Sequence, residues 1–374
     1  MKPFEQFLEQ MKEAAHLAKA KDPAAATAVI QEALKASGLI PTQAADNGMA
    51  ARPPMVDLNA VPDWAKALRK TMPGRRPGIA APDPHAPGQF LERTFSAAGD
   101  TRRYKLYVPS VPASGPRPLI VMLHGCTQNA DDFAAGTAMN ALAEQHGCLV
   151  LYPEQSATAN ASHCWNWFEA SHQERDGGEP SLLAAMTREV VETWQADPKR
   201  VYVAGLSAGG AMAAILGQAY PELYAAVGVH SGLPVGSARD LITGLAAMKK
   251  APARAGRPAR TPPQRVPVIV FHGDQDSTVH PGNGDAVLRQ FVHSAPGSSA
   301  DVLHRHEERT EQADGRGYTR TAMRDRSGRT VAEYWELHGA GHCWSGGSPA
   351  GTYTDPAGPN ASAEMLRFFL AQAD

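Results

Sequence analysis

Gly205-Leu206-Ser207-Ala208-Gly209 sets one serine between two glycines, after the apolar residues Val201 and Val203 and before the run Ala211, Ala213, Ala214. A serine hydroxyl is a weak nucleophile until a neighbouring base takes its proton. The G-x-S-x-G spacing serves that chemistry by geometry. Small neighbours allow a tight strand-to-helix turn, which lifts the hydroxyl clear and aims the next helix N-terminus at a reacting carbonyl. The apolar strand before the motif and the alanine-rich helix after it are the context the motif requires. Ser207 is therefore the candidate nucleophile.

Acyl transfer needs three more parts. An oxyanion hole stabilises the tetrahedral intermediate with two backbone N–H groups. The amide of Ala208 is one candidate, and the loop His124-Gly125-Cys126 supplies the other through Cys126. The acid is expected after the apolar run 268–271, where the chain reads His272-Gly273-Asp274-Gln275-Asp276. Both aspartates qualify by spacing. Asp276 is favoured because it lies further out, within reach of an imidazole, and Asp274 beside Gly273 then reads as a turn former. The base comes last in the order Ser, acid, His. His338-Gly339-Ala340-Gly341-His342 offers a flexible loop ending in His342, with His338 as a structural residue at the strand end. Trp165, Trp167 and Trp344 cluster near these motifs and read as substrate-binding walls of an apolar cleft, with burial in the core as their ordinary alternative.

The elements that must position these residues alternate along the chain. Strands are predicted at 103–108, 119–123, 149–152, 200–204, 225–229 and 268–271, several of them as continuous apolar runs buried on both faces. Helices are predicted at 181–194, 208–218 and 361–371, and strands 318–324 and 331–337 form a hairpin-like pair. Such alternation gives an α/β fold, a mainly parallel sheet covered by helices on both faces, with ligands at the carboxyl ends of its strands. Residues 90–374 make up this catalytic domain.

Two amphipathic helices form an N-terminal extension over 1–40. The first carries Phe4, Phe7, Leu8 and Met11, and the second is punctuated by Asp22, Pro23 and Gly38. Packing against the chain's own catalytic domain is the expectation, and docking on a partner surface the alternative. Residues 41–89 are too rich in proline for long regular structure and read as a linker or surface belt. The basic stretch 248–264 reads as a solvated loop rather than an anion site.

Bulk properties narrow the function further. The chain has 374 residues, 43% hydrophobic content and a formal net charge of -2, so nothing points to nucleic acid. No apolar run is long enough for a membrane span, and the start lacks a secretory signal, so the expected location is the cytoplasm. Cys126, Cys148, Cys164 and Cys343 lack zinc-ligand spacing. In a reducing compartment all four are expected as thiols, with a Cys126–Cys164 bridge conceivable under oxidising conditions.

The pieces LHGCTQNADDFA, YPEQ, CWNWF, GLSAGG, FHGDQD and GAGHCW resemble the catalytic domain of the polyhydroxybutyrate depolymerase family of esterases, which includes feruloyl and acetylxylan esterases. The resemblance covers the chain from about Phe90 onward. It implies an α/β-hydrolase with Ser207, Asp276 and His342 as its triad, Cys126 in the oxyanion hole, and no cofactor or metal. The substrate it implies is 3-hydroxybutyrate polyester or its oligomers, with a polymer granule surface as a partner. Small feruloyl, acetyl or alkyl esters are the alternative, and a granule-associated scaffold is the reading from another class. With no linker or substrate-binding domain of the secreted depolymerases in view, the chain is expected to resemble the intracellular members, which act on amorphous polymer or soluble 3-hydroxybutyrate oligomers.

Overall fold

In the computed structural model, residues 87–97, 100–250, 265–293, 303–311 and 315–372 are described. The expected N-terminal helical pair, the proline-rich belt up to residue 86 and the 251–264 part of the basic stretch lie outside the described residues. The chain runs β1 (Gln89–Ala97), β2 (Asp100–Val108), β3 (Arg117–Leu123), α1 (Ala130–Thr137), α2 (Met139–His146) and β4 (Leu149–Pro153). It continues through α3 (Gly178–Thr193), β5 (Ala196–Leu206), α4 (Ala208–Ala219), β6 (Ala226–His230), α5 (Leu241–Lys249), β7 (Val268–Gly273) and α6 (Gly282–His293). The last part holds β8 (His304–Thr310), β9 (Tyr318–Arg324), β10 (Thr330–Leu337), the short pair β11 (Trp344–Ser345) and β12 (Thr354–Asp355), and α7 (Ala361–Leu370).

Among the described residues, ten strands form one sheet in the order β1-β2-β4-β3-β5-β6-β7-β10-β9-β8. The six strands from β4 to β10 are parallel, and the outer strands on either side are antiparallel. The continuous apolar runs occupy the middle, as expected for strands covered twice. Alternate residues of β3 point to opposite cores: Leu119, Val121 and Leu123 pack with α3, α4 and α6. Ile120 and Met122 pack with α1, α2 and α7 on the other face. Strand ends at one edge of this parallel core then carry the proposed catalytic residues: the loop with Cys126 follows β3, Ser207 follows β5, Asp276 lies beyond β7 and His342 beyond β10.

Candidate active site

The serine sits at a strained corner. Ser207 has φ 57° and ψ -116° as it leaves β5 and enters α4, a region that disfavours a residue with a Cβ. Neighbouring side chains have no room. A Cβ on Gly209 would lie 2.0 Å from the Leu123 carbonyl, and one on Gly205 would lie 2.4 Å from the Gly209 backbone. These glycines let α4 start directly against the end of β3. No side chain caps α4, so its first N–H groups stay available, as a helix N-terminus must to receive an anion.

Beside the corner lies the second amide. A Cβ on Gly125 would come within 3.7 Å of Ser207 Cβ, so the turn after β3 packs directly on the serine. Neither the Ala208 nor the Cys126 amide has a hydrogen-bond acceptor among the described residues. The Cys126 turn is fastened from behind. Its sulfur is bonded to Cys164, with the two Cα atoms 4.2 Å apart. Thr127 N–H donates to the Ser162 carbonyl at 2.7 Å, and Trp165 Nε1–H donates to the His124 carbonyl at 3.1 Å. His124 Nε2 accepts Gln155 N–H at 3.1 Å. Burial pushes the His124 imidazole down to about 4, which keeps that acceptor unprotonated. The 155–166 loop is in turn anchored by the buried carboxylate of Glu179, which accepts both Asn166 N–H and Asn166 Nδ2–H at 2.7 Å.

The expectation of four thiols is therefore corrected: Cys148 and Cys343 are free, and Cys126 and Cys164 form a disulfide. The β3 turn and the loop after β4 run side by side in space, a contact across 38 residues that spacing does not reveal.

The candidate acid and base meet across the ends of β7 and β10. His342 Nδ1–H donates to Asp276 Oδ2 at 2.7 Å. An ionised carboxylate only accepts, so the proton lies on Nδ1 and Nε2 is left with a lone pair able to act as a base. Asp276 Oδ1 accepts the amides of Thr278 and Val279 at 2.9 and 2.8 Å, and His272 Nε2 lies 3.3 Å from Oδ2. Burial opposes the charge on Asp276, but hydrogen bonds from His272 and His342 and their attraction outweigh it, holding the carboxyl far below the usual range. Asp274 does a different job: its Oδ1 accepts the Gly339 amide at 2.7 Å, at the stem of the His342 loop. Of the two candidates, Asp276 is the one in contact with the imidazole. His342 makes no hydrogen bond to Ser207 Oγ among the described residues. Such contacts often close only when substrate is engaged.

The tryptophans are not where an open cleft would need them. Trp165 is 0% and Trp344 1% exposed, and Trp167 is 5% exposed. Trp344 Nε1–H donates to Ser362 Oγ at 3.0 Å, and its ring lies edge-on to Phe133. The expectation of substrate-facing walls is corrected: these rings brace the loops from beneath. Indole gains most by burying its large apolar face once its N–H finds an acceptor. Sequence reasoning also passed over His272, although it belongs to the acid motif, and His230, a lone histidine ending an apolar strand that reads as core.

A strained serine after the central parallel strand, with an acid and a histidine on loops further along the same edge, defines an α/β-hydrolase. The solved acetyl xylan esterase from Aspergillus awamori has the same fold, with a TM-score of 0.59 and 21% identity over 75% of this chain and 99% of that one. Residues 102–313 match the model of the esterase PHB depolymerase family, and the chain belongs to that family. It is similar to the poly(3-hydroxyalkanoate) depolymerase C of Paucimonas lemoignei, at 30% identity over 69% of this chain and 60% of that one. It is also 31% identical to the poly(3-hydroxybutyrate) depolymerase of Ralstonia pickettii over 66% of this chain and 51% of that one. The feruloyl esterase B of Neurospora crassa is 36% identical over 35% of this chain and 44% of its own length. The chain thus spans about half to three-fifths of the depolymerases it matches. No helix among the described residues is long and apolar enough to cross a membrane.

Proposed function

We propose that this chain is a serine carboxylic-ester hydrolase that cleaves 3-hydroxybutyrate polyester or its oligomers through an acyl-enzyme. The observation that carries the chemistry is the 2.7 Å pair of His342 Nδ1 with the buried Asp276, on the same strand-end edge as Ser207. His342 Nε2 takes the proton of Ser207 during attack and returns it to the leaving alcohol. Asp276 holds the tautomer and stabilises the imidazolium, and the Ala208 and Cys126 amides receive the oxyanion. Water then repeats the cycle on the acyl-enzyme. The polyester substrate rests on the similarity to the two depolymerases, and the feruloyl esterase similarity supports a second reading, hydrolysis of small aryl or acetyl esters. Contact with a polymer granule surface belongs to the first reading only. The Cys126–Cys164 bond supports an oxidising compartment over the cytoplasm.

A fluorophosphonate probe followed by peptide mapping tests the nucleophile, and Ser207 is the expected site of label. Product analysis on amorphous polyhydroxybutyrate, beside feruloyl and acetyl esters, tests the substrate. Release of 3-hydroxybutyrate and its short oligomers at the highest kcat/KM of the panel supports the first reading, and faster turnover of feruloyl or acetyl esters replaces it with the second.

A further inference from the structure

β6 lies between the serine strand β5 and the acid strand β7. It ends in His230, a fully buried imidazole with no part in the chemistry above. His230 makes hydrogen bonds to two separate catalytic loops. Its main-chain carbonyl accepts Ser207 N–H at 2.9 Å. Its ring Nε2 accepts Ser345 N–H at 3.0 Å, and Ser345 is three residues beyond His342.

The carbonyl contact is one any residue could make. The ring contact is specific to this side chain. Ser345 is 1% exposed, so its N–H is shut off from water and losing its acceptor carries a desolvation cost. An N–H only donates, which requires an unprotonated Nε2 and places the proton on Nδ1, 3.1 Å from Ser231 Oγ. The ring stacks on Phe271, with centroids 5.7 Å apart and 10° between planes, and on Trp344, at 5.1 Å and 25°. It cannot swing without displacing both. Two of the anchors of the base loop then lie on opposite sides of His342 in sequence: Asp274 holds Gly339 ahead of it, and His230 holds Ser345 behind it.

We infer that His230 is a positioning residue, a rigid spacer that fixes how far the His342 imidazole stands from Ser207. This rests on Ser207 and His342 acting as nucleophile and base. The ring touches neither substrate nor reacting atoms, so its effect falls on kcat and leaves KM nearly alone. A shift of about 1 Å in such a pair costs on the order of 10²-fold in rate.

Two variants separate the hydrogen bond from packing. Gln and Met are close in shape, and Gln Oε1 can take the place of Nε2 as an acceptor whereas the Met thioether accepts only weakly. Both lose the ring stack equally. With a soluble ester at saturation, His230→Met is expected to lose about 10²-fold in kcat. KM should stay within about twofold, and His230→Gln should recover most of the loss. Equal kcat in the two variants, or a loss confined to KM, overturns the proposal. If His230→Met does not fold, His230→Gln decides alone. A kcat within about tenfold of the parent supports the acceptor role, and a folded but inactive protein refutes it. Fluorophosphonate labelling of Ser207 in the unaltered enzyme keeps the two readings apart, because it succeeds or fails independently of the variants.

Discussion

Asp274 and Asp276, two residues apart on one turn, grip the same loop at different heights. Asp274 accepts the amide of Gly339 at the loop's stem, and Asp276 accepts Nδ1–H of His342 nearer its tip. One carboxylate holds the loop backbone, and the other sets the protonation of the ring that the loop carries. Their chemistry is alike and their roles are not, because roles follow from what each oxygen touches.

That division gives the first prediction. Asp276→Asn should lower kcat by roughly 10⁴-fold, since an amide in that place favours the wrong imidazole tautomer. Asp274→Asn keeps an acceptor for the Gly339 amide and should cost less than about tenfold. Steady-state kinetics on a soluble ester will show the order, and a larger loss at Asp274 would exchange the two assignments.

Ser207→Ala should abolish turnover, with a loss on the order of 10⁶ in kcat, while circular dichroism and the melting temperature remain those of a folded protein. Substantial turnover by the folded variant would remove Ser207 from the mechanism.

Acid should destabilise the fold in two stages. Burial pushes His124 down to about 4 and His230 down to about 3, against 6.5 for an ordinary imidazole. Between those values the unfolded chain binds more protons than the folded one, so stability falls as pH drops below about 6.5. Asp276, held below its ordinary 3.8, adds a further loss as pH falls past that value. His172 works the other way, its hydrogen bond to Glu179 raising it. Melting temperatures measured from pH 7 to pH 4 should decline, and His230→Gln should flatten the slope. A flat curve in the parent would refute the assignment of neutral buried imidazoles.

Thiol titration of denatured, unreduced protein should find two groups, Cys148 and Cys343. The Cys126–Cys164 bond closes a loop with a separation of 38 residues, for which chain-entropy arguments give about 4 kcal/mol. Reduction should therefore lower the denaturant midpoint. It should also lower kcat, because the Cys126 amide loses its tether. Four titratable thiols would dissolve both expectations.

The parallel core was legible because runs such as Leu119-Ile120-Val121 and Val268-Ile269-Val270 are apolar without alternation, and only a strand covered on both faces needs that. The edges were not. β1 buries only Phe95 among its nine residues, and β8, His-Arg-His-Glu-Glu-Arg-Thr, is exposed and charged almost throughout. A strand that faces water on both sides carries no apolar signal, and charge at a sheet edge serves to block pairing with other chains. α6 opens on Gly282-Asn283-Gly284, which reads as a turn. In the site, Ser207, Asp276 and His342 stood out because each follows a recognisable strand in a fixed order. The tryptophans misled because a ring beneath a cleft and a ring in its wall leave the same mark in sequence. His230 was invisible for a plainer reason: its partner Ser345 is 115 residues away.

The corner at Ser207 also bears on how this protein would respond to selection for robustness. A serine at φ 57° and ψ -116° occupies a conformation that costs a residue with a Cβ on the order of 1–3 kcal/mol and costs glycine little. Ser207→Gly should then melt higher than its parent while hydrolysing nothing. Any search for more durable variants that does not also score turnover will be drawn toward that substitution. The position on which the proposed function most depends is one where the fold would prefer a different residue.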